Sequence, residues 1–179
     1  MSKIAITGHT SGIGQALFDN LSKNHKCHGF SITDGFDITK NNNLLLNGIA
    51  RCDVFINNAY AEDAQMKLLL DVFNIWQNDS TKTIVNISSS SKYPGHSFNL
   101  SGYPGYKAAL SHQAGIIQQM NHRLCRIINV NPGYVDTPRV SMIDKPKLTT
   151  QECADIIIFA IEQPQHIEIG ELGFWIIDK

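Results

Sequence analysis

The sequence predicts an α/β protein, a doubly wound parallel sheet in a three-layer α/β/α arrangement, folded as a single domain over residues 1–179. Three observations carry this. Short apolar runs alternate with longer helical patterns, as βαβ units require. A glycine-rich turn stands between the first apolar run and the first helical pattern. No Pro/Gly/Ser-rich linker, repeat or low-complexity tract divides the chain, and its length suits one core.

The elements follow in order. Strands are predicted at residues 3–6, 26–31, 53–57, 83–87, 126–130 and 173–177. Helices are predicted at 13–24, 41–50, 63–78, 103–121 and 150–162. The last helix has the clearest start: Thr149 with Glu152 three residues on spells a capping box, and Pro164 stops it. Ser88 to Ser91 make a poor helix start and read as a surface loop. Residues 41–43 and 102–105 mark loops or helix starts.

Composition narrows the function classes. Hydrophobic residues make up 42% and charged residues 17%, the balance of a soluble globular chain. A net charge of −1 and scattered Lys and Arg argue against nucleic acid or an anionic membrane as partner. Cys27, Cys52, Cys125 and Cys153 form no C-x-x-C pair and fit reduced thiols in a cytoplasmic protein. Neither a signal peptide nor a membrane span is expected, and the seven dispersed histidines give no metal site.

The chemistry-bearing residues sit where strands end. Ile4-Ala5-Ile6 runs into Thr7-Gly8-His9-Thr10-Ser11-Gly12-Ile13-Gly14 and then directly into a helix. Glycines permit the tight turn and close backbone approach, and the helix start offers free N–H groups, so this is a phosphate cradle. Ser88 to Ser91 close the fourth strand at the carboxyl edge, where open α/β sheets bind ligands. If a helix starts near Tyr103, with Pro104 in its first turn, Tyr103 and Lys107 share one face at i, i+4. A nearby ammonium would lower a phenol pKa that is otherwise about 10, suiting general acid/base work. Asn57-Asn58-Ala59 and Asn129 to Pro138 end two further strands at the same edge.

Together and in this order these segments resemble the short-chain dehydrogenase/reductase family. Thr7 to Gly14 match T-G-x-x-x-G-I-G, and Asn57-Asn58-Ala59 is similar to N-N-A-G. Asn86 to Ser89 match N-I-S-S, Tyr103 with Lys107 matches Y-x-x-x-K, and Pro132-Gly133 with Thr137 resembles P-G-x-x-x-T. The likeness runs from Lys3 to about Pro138 and implies a Rossmann-like fold that binds NAD or NADP. It implies hydride transfer between nicotinamide and a small carbonyl or alcohol. Tyr103 would be the general acid/base, Lys107 would hold the nicotinamide ribose, and Ser89 would orient the substrate oxygen, with Ser90 as the alternative. Gly8, Ser11, Gly12, Ile13 and Gly14 would line the pyrophosphate, and Asp37 and Ile38 the adenine. Asn57 and Ala59 would approach the adenosine ribose, and Pro132, Gly133, Val135 and Thr137 the nicotinamide. Ser31 ends the second strand without the carboxylate that favours NAD or the arginine that favours NADP. Hydroxyls there tolerate a 2′-phosphate, so the balance leans to NADP.

The chain also departs from the family. It is shorter, with the deficit placed between the family's fourth and fifth strands, here between Asn57 and Asn86. The position of the family's catalytic asparagine falls near Ala61, leaving Gln65 or a water to substitute. Tyr60 replaces the glycine of N-N-A-G and must point into the cleft or out to solvent. The segment from Pro138 to Thr149 makes a short lid. A catalytically weak or inactive NAD(P)-binding sensor or interaction protein is therefore the competing function, whereas a nucleotide-sugar epimerase or dehydratase lacks its substrate domain. A homodimer through the helices at 63–78 and 103–121 is plausible by the same resemblance.

Overall fold

The computed structural model describes residues 1–40, 43–96 and 102–177. Among these residues six strands form one parallel sheet: β1 Lys3–Thr7, β2 Lys26–Phe30, β3 Val54–Asn57, β4 Thr83–Ile87, β5 Arg126–Pro132 and β6 Glu171–Phe174. Five α-helices lie between and after them: α1 Gly12–Leu21, α2 Asn43–Ala50, α3 Ala64–Trp76, α4 Tyr103–Gln118 and α5 Thr150–Ile161. The expected helix at 41–50 begins at residues outside those described. The capping box is formed, with Thr149 accepting from the Glu152 N–H and Glu152 from the Thr149 N–H.

Period-two alternation of the strands builds two cores. On one face Ala5, Phe55, Ile84 and Ile127 pack under Leu45 and Ile49 of α2, Leu69 and Val72 of α3, and Leu110 and Ile117 of α4. On the other, Ile4, Ile6, Ile56, Val85 and Ile128 pack under Leu17 of α1 and Ala154 and Ile157 of α5. This is the three-layer doubly wound arrangement.

Strand order is β2-β1-β3-β4-β5-β6, so the chain reverses direction across the sheet between β1 and β3. A crevice outside the carboxyl ends of those two strands is the ligand position of such sheets. The deficit is not confined to residues 57–86. Only β2 lies outside β1, whereas a 3-2-1-4-5-6 sheet has two strands there. After β2 the chain makes a 3-10 turn at Ile32–Asp34, reaches α2 and enters β3 without another strand.

The sixth strand falls earlier than the sequence predicts. Pro132 ends β5, and Gly133 N–H to Phe174 O (2.8 Å) is the last bond along that edge, so residues 175–177 lack a partner strand. The serine run is also corrected. Ser88 and Ser90 are buried, and Ser90–Lys92 form a 3-10 turn rather than a surface loop.

Candidate active site

The glycine loop is shaped by contacts that leave no room for side chains. Gly8 and Gly12 have φ of +69° and +56°, which glycine alone adopts without strain. A Cβ on Gly14 would lie 2.2 Å from the Gly8 carbonyl oxygen, so helix α1 starts tight against the loop. Across the switch point Thr7 Oγ1 accepts from the N–H groups of Asn58 (3.0 Å) and Ala59 (3.1 Å), while Asn58 Nδ2 donates to Thr7 O (3.0 Å). Ser11 places no side-chain cap on α1, which leaves its first-turn N–H groups for a ligand.

A cleft of about 470 Å³ opens over this loop. Its wall includes Gly8, Ser11, Gly12, Ile13, Ser31, Asp37, Ile38, Ala59, Ser89, Tyr103, Lys107, Pro132, Gly133, Val135 and Thr137. Two residues predicted for it are not there. Gly14 lies beneath the loop as its packing contact. Asn57 is fully buried, its amide donating to Gln65 O (2.9 Å) and Asn86 Oδ1 (3.1 Å), and Asn58 takes its place on the wall. Thr137 closes the far side, its Cγ2 lying 3.0 Å from where a Gly12 Cβ would be.

At the end of β2 the sequence missed a carboxylate. Ser31 Oγ donates to Asp34 Oδ2 (2.5 Å) and lies 2.7 Å from Thr33 Oγ1, and His9 Nε2 is 3.7 Å from the same Asp34 oxygen. The Ser31 hydroxyl on the cleft wall is therefore engaged by the Asp34 carboxylate. Farther along the wall Asp37 Oδ1 accepts from Thr39 N–H (2.9 Å) and Thr39 Oγ1 (2.7 Å), which hold its carboxyl below the usual range.

At the opposite end Tyr103 opens α4, with Pro104 in the first turn. Its hydroxyl is hydrogen-bonded to the Ser89 side chain, which also accepts from Ser91 N–H (3.1 Å). Ser89 is thus the serine beside the tyrosine. Lys107 is buried one turn on, and its Nζ donates to Gln65 Oε1 (2.8 Å) and Ile87 O (2.8 Å). Gln65, in the first turn of α3, donates in turn to Asn57 O (2.8 Å) and Ile87 O (2.9 Å). Gln65, offered by the sequence as a substitute for the family's asparagine, thus contacts Lys107 directly.

The electrostatics overturn one expectation. Burial pushes the Tyr103 phenol up, against the Ser89 hydrogen bond and the Arg139 charge, which pull it down. Lys107 is not what lowers it. Burial, followed by the Arg139 charge, pushes Lys107 itself down to about 7. Two cations face the two tyrosines: the Arg139 guanidinium lies 4.6 Å from the Tyr60 ring centroid and 6.0 Å from that of Tyr103, and Lys107 Nζ lies 5.7 Å from that of Tyr103. Tyr60 points into the cleft, edge-on to Tyr103 at 4.9 Å between centroids, with Lys107 Nζ 5.3 Å from its ring.

Sequence reasoning overlooked Arg139 because it follows the P-G-x-x-x-T segment with no motif of its own. It also missed a side-chain ladder that was in view. Asn57, Asn86 and Asn129 are in register on adjacent strands, and the Nδ2 of each donates to the next Oδ1, ending on Asn131. Ser111 Oγ joins Asn131 to Ser88, and Ser88 Oγ donates to Lys107 O (2.9 Å). The signal was an asparagine near the carboxyl end of three strands at matching parity.

No family model matches the chain. An uncharacterized oxidoreductase of Staphylococcus epidermidis is 33% identical over 64 residues, 32% of this chain and 28% of that protein. Another, from Staphylococcus saprophyticus subsp. saprophyticus, is 30% identical over 98 residues, covering 53% and 42%. The chain thus spans less than half the length of these curated relatives.

Solved structures align over nearly its full length. A 3-alpha-hydroxysteroid dehydrogenase from Pseudomonas sp. B-0831 complexed with NADH has a TM-score of 0.70 at 18% identity, covering 97% of this chain and 95% of that one. A 3-ketoacyl-(acyl-carrier-protein) reductase from Brucella melitensis complexed with NADH gives 0.74 at 16%, covering 97% and 96%. A short chain dehydrogenase from Burkholderia cenocepacia J2315 in complex with NADP gives 0.73 at 19%, covering 97% and 87%. The chain has the fold of the short-chain dehydrogenases and reductases, with segments that resemble that family's motifs in the same order along it.

Proposed function

We propose that this chain is one dinucleotide-binding domain and an NAD(P)-dependent oxidoreductase acting on a small carbonyl or alcohol. The observation that carries the reading is the hydrogen-bonded pair of Ser89 and Tyr103 beside Lys107, on the wall of the cleft that the glycine loop shares. The cleft fits a dinucleotide. No side chain caps the start of α1, which suits a pyrophosphate. Ser11, Gly12 and Ile13 would hold the pyrophosphate, Asp37 and Ile38 the adenine, Lys107 and Tyr103 the nicotinamide ribose, and Pro132, Gly133, Val135 and Thr137 the nicotinamide. The reduced nicotinamide, when bound, supplies the hydride.

The chain's own residues supply the proton and the geometry. Ser89 hydrogen-bonds the substrate oxygen and fixes it beside the Tyr103 hydroxyl. Tyr103, its pKa raised by burial, holds its proton at neutral pH and gives it to a carbonyl oxygen that gains negative charge, the general-acid role of the reductive direction. Gln65 fixes the Lys107 ammonium at 2.8 Å, the positioning task left open by the missing asparagine. Asp34 beside Ser31 shifts the cofactor preference from NADP to NAD, because a 2′-phosphate would face a carboxylate where a 2′-hydroxyl could donate to it. A homodimer would use α3 and α4, where Ile75 and Ile116 are exposed; sedimentation reads that state directly.

The test is turnover by purified protein on a panel of small aldehydes, ketones and quinones, with NADH and NADPH offered separately. NADH should be the better donor, and Tyr103→Phe should lower kcat by at least about 100-fold while cofactor still binds. Cofactor binding without turnover, or full activity in Tyr103→Phe, would leave the sensor reading in place. A preference for NADPH would remove the role given to Asp34.

A further inference from the structure

Beyond Tyr103 the cofactor cleft opens into a second cavity of about 700 Å³. Ser89, Tyr103, Gly133, Arg139 and Val140 belong to both walls, so a molecule in this cavity reaches the Ser89 and Tyr103 hydroxyls from the side away from the glycine loop. Arg139 stands at the junction, on the 3-10 turn Pro138–Val140. That turn is held at its base, where Asp136 N–H donates to Leu148 O (2.8 Å) and Leu148 N–H to Tyr134 O (2.8 Å). Tyr60 supports the guanidinium from below through its ring face.

Two arginines are committed within the fold: Arg123 pairs with Glu168 at 2.6 Å, and Arg126 donates to the carbonyls of Ile161 and Gln163. Arg139 stands on the wall of both cavities, and among the described residues no carboxylate lies within ion-pair distance of it. A guanidinium is a rigid fork that matches a carboxylate with two parallel hydrogen bonds. Lys145 lines the same cavity, and among the described residues Asp144 is the one acidic residue of its wall.

We propose that Arg139 anchors the carboxylate of the substrate, and that the substrate class is an oxo acid, or the corresponding hydroxy acid, with the two groups separated by at most one carbon. The proposal rests on the oxidoreductase reading above. The carbonyl oxygen lies against Ser89 and Tyr103, and the carboxylate turns toward Arg139 over the Tyr60 ring. In reduction the carbonyl carbon accepts a hydride, two electrons and one hydrogen, from the reduced nicotinamide. Its oxygen takes the Tyr103 proton, the C=O bond becomes C–OH, and the carboxylate is unchanged.

The experiment compares acids with their uncharged esters: pyruvate with methyl pyruvate, and acetoacetate with methyl acetoacetate. With NADH as the hydride donor, wild type should favour the acids in kcat/KM. Arg139→Leu should cut that acid-over-ester ratio at least about 30-fold, with Arg139→Lys in between. Using a ratio cancels any change in Tyr103 acidity, which acts on acid and ester alike. A calorimetric arm titrates acetoacetate and its methyl ester into the NAD+-bound protein, where no reduction occurs. Tighter binding of the acid in wild type, with the margin lost in Arg139→Leu, supports the anchor. Equal binding of acid and ester, no binding of either, or a margin that survives Arg139→Leu overturns it. If no carbonyl on any panel is reduced, the oxidoreductase reading falls, and the calorimetric arm still decides the anchor.

Discussion

The two ends of the cleft are built by opposite means. The glycine-loop end is shaped by what is missing: Gly8 and Gly12 take left-handed backbone conformations that glycine adopts most readily, and Gly14 leaves space for a carbonyl. The tyrosine end is shaped by what is present, a buried chain of polar side chains from Asn57 through Asn131, Ser111 and Ser88 to Lys107 and back through Gln65. A phosphate cradle needs backbone N–H groups and room, and glycine provides both locally. Holding a lysine beside a tyrosine without solvent needs partners from four separate segments. The first end should fail when atoms are added, the second when atoms are removed.

The largest test is at Lys107, where the network holds a charge that burial disfavours. Its pKa is about 7 when folded, against 10.5 for an exposed lysine. Between those values the unfolded chain binds the extra proton, so this residue makes stability rise with pH across that window. The burden is full below about pH 7, shrinks as pH rises and is gone above about pH 10.5. Lys107→Met removes it and leaves Gln65 Oε1 without its donor at every pH. The variant's stability relative to wild type should therefore be more favourable at pH 6 than at pH 10, by on the order of a few kcal/mol. Urea unfolding at the two pH values measures this, and an equal difference at both would show that Lys107 is not held in the way described.

The glycine end should respond to a single methyl. Gly14→Ala sets a Cβ against the Gly8 carbonyl, and the two backbone segments must part, at a cost of about 2 kcal/mol. The same change at Gly115 in α4 meets open space and should stabilise by up to about 1 kcal/mol through helix propensity. Thermal melts of the two variants should move in opposite directions. NADH affinity should fall in the first alone, because it alone disturbs the loop.

This contrast explains what the sequence could disclose. The loop was legible because glycine's role is local: a strand, a spaced set of glycines and a helix start imply the turn. Each strand, and each helix in its described part, lies within about three residues of its expected place by the same local logic of periodicity and caps. Asn57 was misplaced because its motif neighbours say nothing of which way β3 faces; parity with Phe55 turns it toward α3. Arg139, Asp34 and the direction of Tyr60 stayed hidden because each is defined by a contact between chain segments. Gln65 could be named as a substitute, but its grip on Lys107 depends on how α3 lies over β3 and β4. The expected lowering of the Tyr103 pKa failed for a related reason, since spacing gives proximity but not desolvation.

The smallest effect tests whether the asparagine ladder acts as one unit. Asn86 accepts from Asn57 and donates to Asn129, at 3.1 Å in both bonds, inside a sheet with no exposure. Asn57 Oδ1 and Asn131 Nδ2, at the two ends, have no partner among the described residues, so every amide in the run points the same way. Each bond then polarises the next. In a double-mutant cycle with Asn86→Ala and Asn129→Ala, the second removal should cost less than it does alone, giving a coupling of about 1 kcal/mol. Gly115 in α4 offers the control: Asn86→Ala with Gly115→Ala should add without coupling, since the two share no partner. A ladder cycle that is additive as well would mean that the asparagines are satisfied one by one, and that the tyrosine end is a set of separate contacts.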